Sequence, residues 1–161
     1  MDESAKGFSL IELLIVVAII LIIAAIAIPS FMRSRVAANQ ASAVASLRTL
    51  DTAEVSYALT FNTGYSVDLF SLAPPVPADG PPTPTAAGLI DSILATGFKS
   101  GYSFTYTPGP ADSAGAILSY EMNAAPVSSN TGSVYYYTDQ TGVIRQNSTT
   151  TATPSDSPLA G

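Results

Sequence analysis

Phe8 to Ile28 is apolar at every position except Ser9 and Glu12, and from Leu13 to Ile28 the apolar run is unbroken. At 1.5 Å rise per residue such a stretch makes roughly 32 Å of helix, close to the bilayer hydrocarbon thickness of about 30 Å. A helix that is apolar on every side is a membrane span or the core of an assembly. Pro29 closes the run. It removes one backbone hydrogen bond and crowds the preceding turn, so a bend is predicted near residues 25–29. Beyond it, Arg33 to Phe61 contains no Gly or Pro. Val36, Val44, Leu47, Leu50, Tyr57, Ala58 and Phe61 recur at threes, fours and their sums, which places them on one helical stripe. Arg48, Asp51 and Glu54 fall between those positions and are expected to face outward. The two segments predict one helix, its first half greasy and its second amphipathic.

Asn62 to Tyr65 stops that helix, with Gly64 as a left-handed cap. Six prolines between Pro74 and Pro84 exclude regular helix or central strand there, so residues 73–85 form an exposed, partly polyproline loop. Leu89 to Ala95 predicts a short helix capped by Gly97. The period then changes from helical to two. Tyr102, Phe104 and Tyr106 alternate with Ser and Thr, and residues 117–123 and 133–138 also predict strands. Asp139 to Gly142 is a turn signal joining residues 134–137 to 143–145 as a hairpin. Beyond Gln146 the composition is Ser, Thr, Pro and Ala, which predicts an irregular tail. There are no internal repeats. The expected fold class is α+β, a long N-terminal helix packed through its amphipathic half on an antiparallel sheet of three or four strands.

Composition narrows the chemistry. Only 11% of the 161 residues are charged, well below the roughly 25% usual for soluble domains, while 47% are hydrophobic. The net charge is −6, and the closest thing to a basic cluster is Arg33, Arg35 and Arg48, so nucleic acid is not an expected partner. The chain has no cysteine and no histidine. A thiol nucleophile, a Ser-His-Asp triad, a disulfide framework and a Cys/His zinc site are therefore excluded. Asp112, Asp139 and Asp156 are too dispersed for a calcium loop. No enzyme activity, cofactor or metal is expected. Tyr135 to Tyr137 predicts a strand with one or two rings in the core. Asn147-Ser148-Thr149 matches the N-glycosylation pattern, read here as an unmodified tail.

Glu12 is the informative residue of the apolar segment. A carboxylate inside an apolar helix costs several kcal/mol unless it is paired. No basic residue lies between Phe8 and Ile28, so its expected partner is an amine from another chain. An ordinary secretory signal is a competing reading, because Ala25-Ile26-Ala27 satisfies a small-x-small cleavage pattern. The length of the apolar region, Glu12 within it and Pro29 just after the site argue against that. A single-span anchor with no assembly role leaves Glu12 unexplained.

Gly7-Phe8-Ser9-Leu10-Ile11-Glu12 and the apolar run behind it resemble the class III signal sequence of type IV prepilins and pseudopilins. The close likeness runs from Gly7 to about Phe31; beyond that it is one of architecture. The resemblance implies that residues 1–7 are a leader removed by prepilin peptidase, which cuts between Gly7 and Phe8 and N-methylates Phe8. It implies that 8–29 is a transmembrane and filament-core helix and 30–61 its amphipathic continuation. Residues 62–146 would form the globular head and 147–161 the tail. Glu12 would set subunit register by pairing with the mature amino terminus of a neighbour, and Pro29 would kink the helix. The implied protein is a structural subunit that waits as a single-pass inner-membrane protein among lipid and is then built into a helical homo-oligomeric filament for attachment or motility. The implied partners are the peptidase and an inner-membrane assembly platform with its ATPase. A type II secretion pseudopilin, periplasmic after assembly, and a monomeric membrane-anchored binding domain are the alternatives. The chain departs from the expected pattern in four places. Arg33 and Arg35 flank the far end of the span, which the positive-inside rule does not favour for this orientation. Asp2 and Glu3 stand in a leader that is usually basic. Leu21 occupies a position where relatives often have a helix-loosening Gly. No disulfide can close a C-terminal loop.

Overall fold

A computed structural model describes residues 7–77 and 80–159. One helix, α1, runs from Leu10 to Phe61 and includes Pro29 within its 52 residues. The chain divides after Arg35 into two compact units, which are taken in turn.

In the first unit the helix has no protein around it. From Phe8 to Phe31 every residue is exposed save Ala24, which is half-buried. The leader expected over residues 1–7 lies outside the described residues, apart from Gly7.

The second unit is built on the later half of α1. Its buried face carries Ala43, Leu47, Leu50, Glu54 and Tyr57, with Ser46 and Ala53 beside them. Those five positions step by four and three, the repeat of a helix face packed on a partner. Glu54 therefore does not face outward, as expected, but is wholly buried, and Asp51 is half-buried. Arg48 is exposed. The step from Leu50 to Tyr57 already spans two turns, and Glu54 is the intermediate position; its charge disguised a core site.

The sheet is a five-stranded antiparallel meander in chain order: β1 (Phe98–Lys99), β2 (Tyr102–Pro108), β3 (Tyr120–Pro126), β4 (Tyr135–Asp139) and β5 (Arg145–Asn147). The strand beyond the expected three or four is the two-residue β1, too short to show a period. The register sets Phe104 opposite Ala124, and Ala124 opposite Tyr136. Side chains alternate across a strand, so these residues share one face with Tyr102, Tyr120 and Met122. That face joins Leu47 and Leu50 of α1, Leu72, Leu94 and Ile144 in one apolar core.

Where prediction and structure differ, backbone partners explain the shift. Residues 117–119 are not part of β3, because Ile117 exchanges backbone bonds with Thr63 and Tyr65 at the end of α1. At the other end β3 continues through Ala124 and Ala125, weak strand formers held by pairing with β2. The helix expected over 89–95 shortens to α2 (Ser92–Ala95), because the Leu89 and Ile90 amides donate to the Leu72 carbonyl. Asp91 caps α2, accepting from the Leu94 amide at 2.8 Å. An unpredicted 3-10 turn, Leu69–Leu72, is capped in the same way by Asp68.

The tail is irregular in secondary structure but is folded onto the sheet edge. Gln146 donates its amide to the Ser157 carbonyl, and Leu159 donates to the Ile144 carbonyl. Asp156 is the clasp. Its carboxylate accepts from the Asn147 amide group at 2.9 Å and from the Thr153 amide at 2.7 Å. Arg145 donates to its carbonyl at 2.9 Å. The Asn147 side chain, half of the glycosylation pattern, is thereby committed to holding the tail.

Candidate functional site: the N-terminal apolar helix

The start of α1 is built by two residues of the motif. Ser9 occupies the N-cap position and Glu12 stands three residues on, the arrangement of a capping box. Glu12 Oε2 accepts the Ser9 backbone N–H at 2.8 Å. An acidic group in the first turn also opposes the positive end of the helix dipole. Within one chain, then, one carboxylate oxygen already has a partner in its own helix. Among the described residues no hydrogen bond is made to the other oxygen, Oε1.

Gly7 and Phe8 are exposed, Phe8 at 84%. A Cβ at Gly7 would meet nothing within 4 Å, so the fold of the single chain does not itself require glycine there. Pro29 lies inside α1, and its carbonyl faces the Arg33 guanidinium at 3.4 Å. The apolar window of α1 is long enough to cross a membrane, and none of it is buried. Sixteen consecutive apolar residues with no internal partner require either lipid or other chains around them.

The head contains a second polar feature, on the sheet-facing side of α1. Asp51 accepts from the Tyr120 hydroxyl at 3.1 Å and from the Thr138 hydroxyl at 3.0 Å. Burial pushes its carboxyl up to about 6, against the opposing pull of those two donors. Glu54 is pushed upward as well, again chiefly by burial. Tyr106 and Tyr120 are likewise raised by burial and by these acids. Sequence reasoning missed this cluster. Its signal was the seven-residue step from Leu50 to Tyr57 with an acid at the middle position. Among the described residues no group of three or more Asp, Glu, His or Cys side chains is placed to hold a metal ion.

Comparison with known proteins bears on the N-terminal segment. Residues 4–28 match the family model described as the prokaryotic N-terminal methylation motif. The chain is 52% identical over 52 residues, 32% of its length, to the type IV major pilin protein PilA of Myxococcus xanthus. It is 44% identical over 66 residues, 41% of its length, to the type IV wide pilus major component PilA4 of Thermus thermophilus. These matches span 24% and 44% of the relatives' own lengths. No solved structure matches the chain. This chain thus carries the N-terminal methylation motif of prepilin signal sequences, and up to 41% of it is similar to type IV major pilins.

Proposed function

We propose that this chain is the precursor of a structural subunit of a type IV pilus-like filament. The observation that carries the reading is the apolar stretch of α1, no residue of which is buried, with one acid, Glu12, in its first turn. Before assembly the bilayer covers that stretch, and the head stands outside the cytoplasm. Prepilin peptidase cuts between Gly7 and Phe8, both exposed, and methylates the Phe8 amine. The helices of many copies then replace lipid around one another, with the heads outside. Cohesion comes from apolar burial, about 1.5–3 kcal/mol for each large side chain fully enclosed.

Glu12 supplies register. Oε2 is held by the Ser9 amide, which fixes the carboxylate and leaves Oε1 for the Phe8 amine of a neighbouring subunit. A buried pair of that kind selects one arrangement more than it adds stability. Pro29 is the place where the packed helix bends. An assembly platform and its ATPase in the inner membrane supply the work of extraction.

Mass spectrometry of filaments sheared from cells tests this. The expected result is this chain beginning at N-methylated Phe8. A chain recovered only from membranes, beginning at Met1 or Ile28, would overturn the reading.

A further inference from the structure

Glu54 has no exposed surface. Its Oε2 accepts the Ser66 amide at 2.9 Å, and its Oε1 lies 2.6 Å from the Ser66 hydroxyl oxygen. That hydroxyl also lies 3.0 Å from the Asp68 carbonyl oxygen. Glu54 Oε1, Ser66 Oγ and Asp68 O therefore stand in a row with two hydrogen-bond separations between them. With Glu54 ionised, the row holds a single hydrogen, that of Ser66, and one separation has none to fill it. One more proton completes it. Glu54 then donates to Ser66 Oγ, and Ser66 donates onward to the Asp68 carbonyl.

The surroundings favour the neutral acid. Asp51 lies one turn earlier on α1 and Tyr57 one turn later. Tyr106 of β2 donates to the Ser66 carbonyl at 2.7 Å, and Tyr120 of β3 donates to Asp51. Asp139 of β4 adds a negative charge near Asp51, and Asp68 adds another near Tyr57. The nearest cation on α1, Arg48, is exposed. Among the described residues the one ion pair is Lys99 with Asp91, on the α2–β1 side. With no cation beside it, a carboxylate here recovers only part of its desolvation cost, through its bonds from Ser66, and burial outweighs them.

We propose that the folded head carries Glu54 in its protonated form at neutral pH, as first donor of a Glu54–Ser66–Asp68 relay tying α1 to the following loop. The tie is proton-operated. Because folding raises the Glu54 pKa above its unfolded value, its contribution is complete below that value and is lost as pH rises through the folded one. Ionisation then turns the Ser66 hydroxyl onto Glu54 and leaves the Asp68 carbonyl without its donor, which loosens residues 66–68. This holds whether or not the chain assembles.

The full chain in detergent micelles provides the test. Infrared spectra at about pH 7, all recorded in an E12Q background so that the carboxyl of the apolar span adds no band, should show the C=O band of a protonated carboxyl with the head unchanged and with D51N, absent with E54Q. In E54Q the amide N–H replaces the acid O–H toward Ser66, so its melting temperature should match wild type at about pH 5 and exceed it at about pH 9. A band missing from both the unchanged head and D51N would overturn the proposal, as would a band that survives E54Q. An E54Q protein that melts well below wild type at about pH 5 would assign Glu54 an ionised, purely accepting role instead. If E54Q does not fold, a band missing from both of the other spectra still overturns the proposal.

Discussion

Gly132 stands where any side chain would strike Tyr102, since a Cβ built there lies 2.7 Å from the ring carbon that carries the phenol oxygen. Tyr102 cannot move aside, being fully buried and bonded to the Val134 carbonyl at 2.9 Å. G132A should cost about 1–3 kcal/mol, read as a lowered denaturant midpoint with an unchanged slope. Asp51 makes a pH-dependent prediction with a definite sign. Its folded pKa, about 6, lies above the ordinary 3.8, so the folded chain binds the extra proton between those values. Stability from this group is therefore complete below about pH 3.8 and is lost as pH rises through about 6, by about 1–2 kcal/mol after solvent screening. T138V removes a donor that favours the ionised acid, so the fall should move to higher pH in melts taken across that range. D51N should remove it.

Among the elements, β5 depends most on a partner that carries no regular structure. It has three residues, and the folded-back tail satisfies its outer edge. An uncovered edge offers unpaired N–H and C=O groups to other chains. The Asp156 carboxylate holds the tail through Asn147 and Thr153, and those bonds set its pKa below the ordinary value. The tail clasp is therefore lost as pH falls through that lowered pKa, the opposite sign to Asp51. D156A should expose the tail to limited proteolysis beyond Asn147 at neutral pH while the rest of the head resists. Wild type should acquire the same sensitivity only in strong acid. In a chain without cysteine, this network does the fastening that a disulfide would otherwise provide.

For the molecule as a whole, the two units pose opposite packing problems. The head encloses its own core between α1 and the sheet, whereas the apolar start of α1 encloses nothing. Its environment is supplied first by lipid and then by other copies in the proposed filament. Glu12→Leu separates these two roles. The substitution makes the span more apolar, so membrane insertion and cleavage after Gly7 should persist. Entry into filaments should fall by tenfold or more, because the variant offers no carboxylate to a neighbour's amine. Comparing cell-associated and sheared fractions by immunoblot checks this, and filaments of normal yield from the variant would refute the register role.

Local chemistry was legible in the sequence. Sixteen unbroken apolar residues, a proline behind them and Gly-Phe with an acid four residues on need no partner to be recognised. The Asp139–Gly142 turn was legible for the same reason, since Asp139 accepts the Thr141 amide and Gly142 adopts φ of 69° within four residues. The inward direction of Glu54, the shortened α2, the late start of β3 and the clasped tail were decided only by tertiary structure. Each depends on a partner distant in the chain or on another element: Ser66 for Glu54, the Leu72 carbonyl for the start of α2, Thr63 and Tyr65 for Ile117, and β5 for the tail. Periodicity reports which positions meet a partner. It does not report that a buried acid has been given a hydroxyl and an amide to receive it.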